Sequence, residues 1–528
     1  MVRKLLLLLA LVSWGGAAQA QWREAESRNF RVYSEASEAE LRAFTEKLEK
    51  FDFVLRRIHK VEAPPSPNKL KIVLVPNQRA VATLAGYPRS GIAGYYVRDA
   101  QAMMMVGSRN RNPRGGGGDR GENRDVYSID PEYVLLHEYT HHFMYQYFPA
   151  TYPTWYSEGF AEFWGATKFG ENGVVEVGSP AEHRFGSFVA NRWLAVQDLL
   201  QAQNYSQVAE IDLLYAQGWL LVRYAWENPT RQKQLQQYLA LINRGSSFEQ
   251  AAKTAFGDLG KLNAELRQYS GRGRFNVIQL PFRTIEVGDI KLRSLGSAEQ
   301  ALFLTDIEWS QGVSVREFPT FLARVRREAA AFPNDPFALR LLADVERVAN
   351  NLPASRAAVD KLLAVRANDP RGLMLKGLVE LKTLKAGGPA AAFEAARRPI
   401  EQAVRLAPND PLVHEALYTS YAAMGSLPPE HAQSALYRAM ELAPSDDRLR
   451  YLLASDFEKR GMIPEAIAII RPDAYQVPDR RDESEGEKAK RERQENRNRR
   501  AGTAKTETAR EMLDRLLKKQ QQGSAGSN

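Results

Sequence analysis

The sequence predicts two folds in series: an α+β domain built on a small sheet with helices, then an all-α array of helical repeats. Three observations predict it. Strand-like alternation and amphipathic helical spacing interleave up to about residue 270. From about residue 316 the chain is helical, and Asn334-Asp335-Pro336, Asn368-Asp369-Pro370, Asn409-Asp410-Pro411 and Ser445-Asp446-Asp447 punctuate it at spacings of 34, 41 and 36 residues. The 528 residues are 44% hydrophobic and 10% aromatic, enough to fill the cores of two to four domains of roughly 100–200 residues each.

The elements follow in order. Residues 1–20 have the layout of a secretory signal: basic Arg3-Lys4, an apolar run from Leu5 to Val12, and the small-residue cleavage site Ala18-Gln19-Ala20. The run is too short to span a bilayer and no other long apolar run follows. The expectation is an exported protein, periplasmic or secreted after cleavage near Ala20, with no transmembrane segment. Asn29 to Ser34 alternates as a strand, and Glu38 to Lys60 places Leu41, Phe44, Leu48, Phe51 and Leu55 at helical spacing. Lys69 to Val75 reads as a buried strand, and Gly94 to Val106 as two strands about a turn near Arg98-Asp99. The Gly- and Arg-rich stretch from Arg109 to Asp125 has no periodicity and reads as a surface loop or, more sharply, a lid over a cleft. Asp130 suits an N-cap and Pro131 the first helical position, so a helix is expected from there to about Phe148, before Pro149. Pro153-Thr154 opens the next helix, toward Lys168. Helical patterns then occupy much of 186–269, and Asn276 to Leu292 reads as a connector of strand character.

A repeat period of 34 residues is the tetratricopeptide length. The longer middle spacing fits an insertion at Lys385 to Pro389, and Leu417, Tyr421, Gly425, Ala439 and Pro444 resemble the tetratricopeptide pattern. That resemblance implies a concave surface for a peptide or protein partner. The expected division is a signal at 1–20, a first domain at 21–270 able to fold alone, a connector at 271–315, repeats at 316–475, and a charged disordered tail at 476–528. Within the tail, Ala509 to Lys519 can form one short amphipathic helix.

Charge and cysteine count exclude whole classes. The net charge is +9. Arg3 and Lys4 supply two of these charges, and the stretch from Arg480 onward, with 14 Lys/Arg against 9 Asp/Glu, supplies five more. The folded part is nearly neutral, so no nucleic-acid partner is indicated. There are no cysteines, which rules out disulfides, a thiol nucleophile and Cys-ligated metal. Any metal must sit on His, Asp and Glu.

His137-Glu138-Tyr139-Thr140-His141 supplies that chemistry. Residues four apart share a helix face, so both imidazoles can reach one ion. Glu138 stands beside them as a base for a water made acidic by the metal. With seven histidines in the chain, this motif is expected by chance on the order of 0.01 times. A hydrolytic zinc site commonly has three protein ligands and an open position. Glu158 and Glu162 share a face of the following helix, so one can bind metal while the other orients a histidine. His142, five residues after His137, points off the ligand face and reads as structural or solvent-facing.

The segments HEYTH and WYSEGFAEF (Trp155 to Phe163) resemble the gluzincins, zinc peptidases with two His and one Glu as ligands. The resemblance maps the third ligand onto Glu158 and leaves Glu162 as the orienting carboxylate. Tyr215-Ala216-Gln217-Gly218 resembles the family's Tyr-x-x-Gly helix start, whose tyrosine aids the developing oxyanion. The G-A-M-E-N strand that anchors a free amine in the aminopeptidase branch is missing, so an endopeptidase is expected. Ile92 to Tyr96 and Ser246 to Leu262 are similar to the peptidase-MA-like bacterial group. The resemblance implies one zinc per chain on His137, His141 and Glu158, with Glu138 and Tyr215 catalytic. The strand near Met103 to Val106 is the expected cleft edge for an extended peptide. The alternative is a catalytically idle platform whose repeats make it a binding or scaffold protein.

Overall fold

The computed structural model describes residues 21–86, 92–109, 130–170, 173–180, 192–202, 208, 210–272, 275–475 and 507–525. The signal segment, nearly all of the Gly- and Arg-rich loop and the first part of the tail lie outside the described residues.

The predicted strands assemble into one six-stranded sheet. Its members are β1 (Arg23–Glu26), β2 (Phe30–Ser34), β3 (Leu70–Val75), β4 (Gly94–Val97), β5 (Met104–Ser108) and β9 (Lys291–Ser294), in the order β4-β5-β3-β2-β1-β9. The β2–β3 and β3–β5 pairs are parallel and the others antiparallel. Helix α1 (Glu38–Ile58) makes the crossover from β2 to β3. Its start is set locally: Ser37 Oγ accepts from Glu40 N–H at 3.3 Å while Ser37 N–H donates back to Glu40 Oε2 at 3.0 Å. Helix α2 (Gln78–Ala85) follows β3.

Alternation along β3 gives the sheet two apolar faces. Ile72 and Leu74 join Phe51, Val54 and Leu55 of α1 and Leu135 and Tyr139 of α3 (Pro131–Tyr147) in one core. Val73 and Val75 join Met104 and Val106 in another, covered by Phe303 and Ile307 of α10 (Ser297–Gln311). A second sheet pairs β6 (Lys168–Phe169), β7 (Val174–Val177) and β8 (Ile278–Pro281), all antiparallel.

Two expectations change here. The strand near Met103 to Val106 is not a sheet edge: β5 is buried along its whole length between β4 and β3, and β4 is the outer strand. The stretch 271–315 is not a linker either. β9 completes the first sheet beside β1, β8 completes the second, and α10 covers one face. A fragment ending at residue 270 would lose two strands and that cover.

The rest of the N-terminal half is helical: α4 (Thr154–Gly165), α5 (Val196–Gln201), α6 (Ile211–Glu227), α7 (Pro229–Asn243), α8 (Phe248–Phe256) and α9 (Leu259–Ser270). The repeat array comprises α11 (Phe318–Ala329), α12 (Pro336–Val348), α13 (Leu352–Val365), α14 (Pro370–Leu381), α15 (Ala390–Leu406), α16 (Pro411–Ala422), α17 (Glu430–Leu442), α18 (Asp447–Lys459) and α19 (Ile463–Ala474). The punctuating tripeptides are helix starts. Asp335, Asp369, Asp410 and Asp446 accept from backbone N–H groups of the first turn at 2.8, 2.8, 3.0 and 2.8 Å, satisfying donors that a helix N-terminus leaves unpaired.

The array curls back onto the first sheet. Ala100 N–H donates to Asp446 Oδ2 at 2.7 Å, Asn68 Nδ2 donates to Leu442 O at 3.0 Å, and Tyr96 and Ser445 hydroxyls stand 3.2 Å apart. The end of the tail is also ordered. Helix α20 (Ala509–Ala525) buries Ala509, Met512, Leu513 and Leu516 against α18 and α19, and Arg515 pairs with Glu458. It covers the apolar end of the array, so this part of the tail is not the solvated segment expected. Among the described residues no helix is long and apolar enough to cross a membrane.

Candidate metal centre

Helix α3 starts as its sequence dictates. Asp130 accepts from Glu132 N–H at 3.1 Å and Pro131 fills the first turn. Thr154 then begins α4, which turns back along α3. A glycine pair fixes the third helix. A Cβ on Gly159 would lie 2.2 Å from the Gly218 carbonyl carbon, and one on Gly218 would lie 2.4 Å from Trp155 O. Only glycines let α4 and α6 cross backbone to backbone here. That crossing brings Glu158 on α4 and Tyr215 on α6 to the histidines of α3.

His137 Nε2 and His141 Nε2 lie 3.2 Å apart, and Glu158 Oε2 lies 3.3 Å from the first and 3.4 Å from the second. The three side chains are only 11%, 12% and 9% exposed. They form the one His/Asp/Glu group among the described residues with ligand atoms gathered closely enough to hold a metal ion. The donor set fits zinc: ligands about 2.0–2.1 Å from a tetrahedral zinc stand about 3.3–3.4 Å from each other, and the observed triangle has those sides.

The charges of the three side chains lean on one another. Burial disfavours a charged Glu158, but the two imidazoles beside it hold its carboxyl well below the usual carboxylate range. Burial likewise opposes protonation of His137, yet the hydrogen bond His137 donates to Glu158 and the nearby charges of Glu162, Glu158 and Glu138 raise its pKa to about 8.

The surrounding residues set ring orientation. Ser157 Oγ lies 3.2 Å from His141 Nδ1, leaving Nε2 toward the triangle. His137 Nδ1 is buried with no hydrogen-bond partner. Glu162 Oε1 stands 3.9 Å from it, and Glu162 Oε2 accepts from the Tyr133 hydroxyl. Glu162 is thus beside the ligand it was expected to orient, but beyond hydrogen-bond length. Glu138 is partly buried, one residue along α3 from His137. The Tyr215 ring lies nearly parallel to that of His137, with centroids 6.3 Å apart. His142 is neither a ligand nor solvent-facing: it is buried, its Nδ1 is 2.9 Å from the Tyr96 hydroxyl, and burial lowers its pKa to about 3.

Sequence reasoning passed over Ser157, Tyr133 and the glycine crossing. The signal for the last was present, since Gly159 directly follows Glu158 and Gly218 lies one helical turn after Tyr215.

No protein-family model matches the chain, and no curated protein matches it. Solved structures similar to part of it include TTC0263, a thermophilic TPR protein in Thermus thermophilus, at 19% identity over 39% of this chain and 98% of that one, with a TM-score of 0.30. They also include MamA from Desulfovibrio magneticus RS-1, residues 41 to the end, at 20% identity over 33% of this chain and 92% of that one, with a TM-score of 0.25.

Proposed function

We propose that the N-terminal domain is a zinc-dependent peptidase of the HExxH-and-Glu type, acting as an endopeptidase outside the cytoplasm, with one zinc per chain on His137, His141 and Glu158. The supporting observation is the near-equilateral triangle of two imidazole nitrogens and one carboxylate oxygen in a largely buried site. Zinc held there would supply Lewis acidity toward a carbonyl oxygen and toward water. Glu138 takes the proton of the attacking water and returns it to the departing amine, the work of a single positioned carboxylate. Tyr215 donates its hydroxyl hydrogen bond to the oxyanion as it develops. Ser157 keeps the His141 imidazole turned toward the ion, and the Glu162 carboxylate lies 3.9 Å from His137 Nδ1 as a charge that favours the same orientation. The outer strand β4 offers its backbone edge to an extended substrate.

A second reading makes the repeats the working part, in a scaffold protein whose N-terminal domain is idle. The extent of the array supports it: nine helices run from Phe318 to Ala474, and stacked helix pairs build extended binding surfaces. One experiment separates the two. Purified protein loaded with zinc is tested on a peptide library beside Glu138→Gln, which keeps shape but cannot accept a proton. Cleavage by the wild type that chelator abolishes, and that Glu138→Gln lacks while retaining zinc, supports the peptidase. No cleavage by zinc-loaded wild type supports the scaffold.

A further inference from the structure

Charged side chains inside a fold are almost always matched. Lys71, half-buried on the inner strand β3, is an exception to that rule. By the two-residue alternation it shares a face with Val73 and Val75, which pack on α10. Lys71 instead faces a cavity of about 320 Å³ between the sheet and the first helices of successive repeats. The cavity is separate from the metal centre: none of His137, His141 and Glu158 lines it.

Four arginines line it with Lys71, and each meets a carboxylate. Arg340 pairs with Asp306 at 2.9 Å, Arg347 with Asp344 at 2.7 Å, Arg371 with Asp410 at 2.5 Å, and Arg448 with Glu415 at 2.6 Å. The Lys71 ammonium, by contrast, makes no hydrogen bond or ion pair among the described residues. Burial lowers its pKa below the usual lysine value; Asp306 pulls the other way, and Arg340, Arg371 and Arg31 add to the lowering. Asp99 also lines the cavity, but its Oδ1 accepts from Gln101 N–H at 2.8 Å and its charge is felt at Arg448. Among the described cations lining the cavity, Lys71 is thus the one without a direct carboxylate partner, and the cavity leaves room for a counter-ion beside it.

We propose that this cavity binds a small oxyanion, a carboxylate or phosphate group, that pairs with Lys71 and lies against Arg340 and Arg371. The volume falls at the lower end of small-molecule sites, about 300–1,000 Å³. One ammonium and two planar guanidinium groups lining the same cavity suit the charge and hydrogen-bonding needs of such oxygens. Lys71 comes from the sheet and the arginines from the array, so the ligand bridges the two halves of the chain. The cavity lies between the protein's own sheet and the array, which favours a small molecule over an extended chain.

The test uses the full chain. Melting temperature is followed against sodium phosphate and, separately, sodium succinate, with sodium chloride holding ionic strength constant. Ligand that binds only the folded state raises the melting temperature with the logarithm of its concentration. Phosphate also strengthens apolar burial in general, so the readout is the difference between wild type and Lys71→Met. The inference expects one of the two salts to raise the wild-type value more than chloride, and affinity to fall at least tenfold in Lys71→Met. It also expects the ligand-free Lys71→Met protein to melt no lower than wild type, because an unmatched charge has been removed. Lys47→Met, which removes a lysine paired with Glu132 at 2.6 Å, should keep the ligand-dependent rise. No rise beyond chloride with either salt, or an equal rise in Lys71→Met, overturns the inference. Should Lys71→Met fail to fold, Lys71→Gln titrated calorimetrically with the same two salts is judged by the same tenfold criterion.

Discussion

The repeat array and the metal-centre region of the N-terminal domain place their buried polar groups differently. In the array the helix-capping aspartates and several arginines are matched within their own or nearby repeats, although His414 Nδ1 stays unbonded. Asp335, Asp369, Asp410 and Asp446 cap their own helices. Arg326 pairs with Glu346 one helix on, and Arg448 with Glu415. In the N-terminal domain, polar groups from three helices are drawn into one place and left incompletely matched: the His137–His141–Glu158 triangle, with His137 Nδ1 unbonded. An unsatisfied buried group is costly, so a cluster of them implies a ligand that completes it. The regular region spends its polar residues on marking positions. The irregular region gathers its polar residues where they could hold an ion.

Replacing a residue at the centre of the irregular region should have the largest effect. Gly159→Val places a side chain against the Gly218 backbone, which cannot move aside. Stability should fall by roughly 3 kcal/mol or more, and zinc should be lost with it. A variant that melts like wild type and keeps zinc breaks the claim that the glycine crossing assembles the site. Next comes Tyr215→Phe, with fold and zinc intact. Loss of one oxyanion donor lowers kcat by roughly 10²–10³, with little change in KM because the bond forms in the transition state. Equal kinetics would remove Tyr215 from the mechanism.

How much of this contrast the sequence showed depends on range. The helix starts of the array and the strands Phe30–Ser34 and Leu70–Val75 are legible because caps and alternation act over a few residues. His137, Glu138 and His141 are legible because one helical turn fixes their spacing. Glu158 needed the resemblance to a family, since nothing local ties it to α3. The pairing of β1 with β9, the closure of the array on Ala100 and the docking of α20 were not legible. Each joins segments far apart in the chain, and short runs such as Lys291–Ser294 carry too few residues to announce a partner.

A smaller effect separates the regions by pH. His59 sits among Phe143, Phe160 and Trp164 with its Nε2 unbonded, and burial lowers its pKa to about 4. Between pH 4 and the ordinary histidine value, the unfolded chain binds a proton there that the folded chain does not. Stability therefore falls as pH drops through that window, by at most about 1.4 kcal/mol per pH unit from this group. His59→Phe should flatten the acid side of a stability–pH curve; an unchanged slope would show that His59 is not the source. The smallest effect is expected in the array. Asp369→Ala removes one cap, at about 1 kcal/mol, and should leave zinc content untouched. Loss of zinc in that variant would mean that the two regions are not independent in the way described.

The central claim is that His137, His141 and Glu158 hold a metal, and metal content tests it most directly. Purified protein, reconstituted with zinc and dialysed, should carry about one zinc per chain, and Glu138→Gln should carry the same. The His137→Ala, His141→Ala double variant should carry almost none while remaining folded by circular dichroism. Full occupancy in the double variant, or none in the reconstituted wild type, would contradict the account.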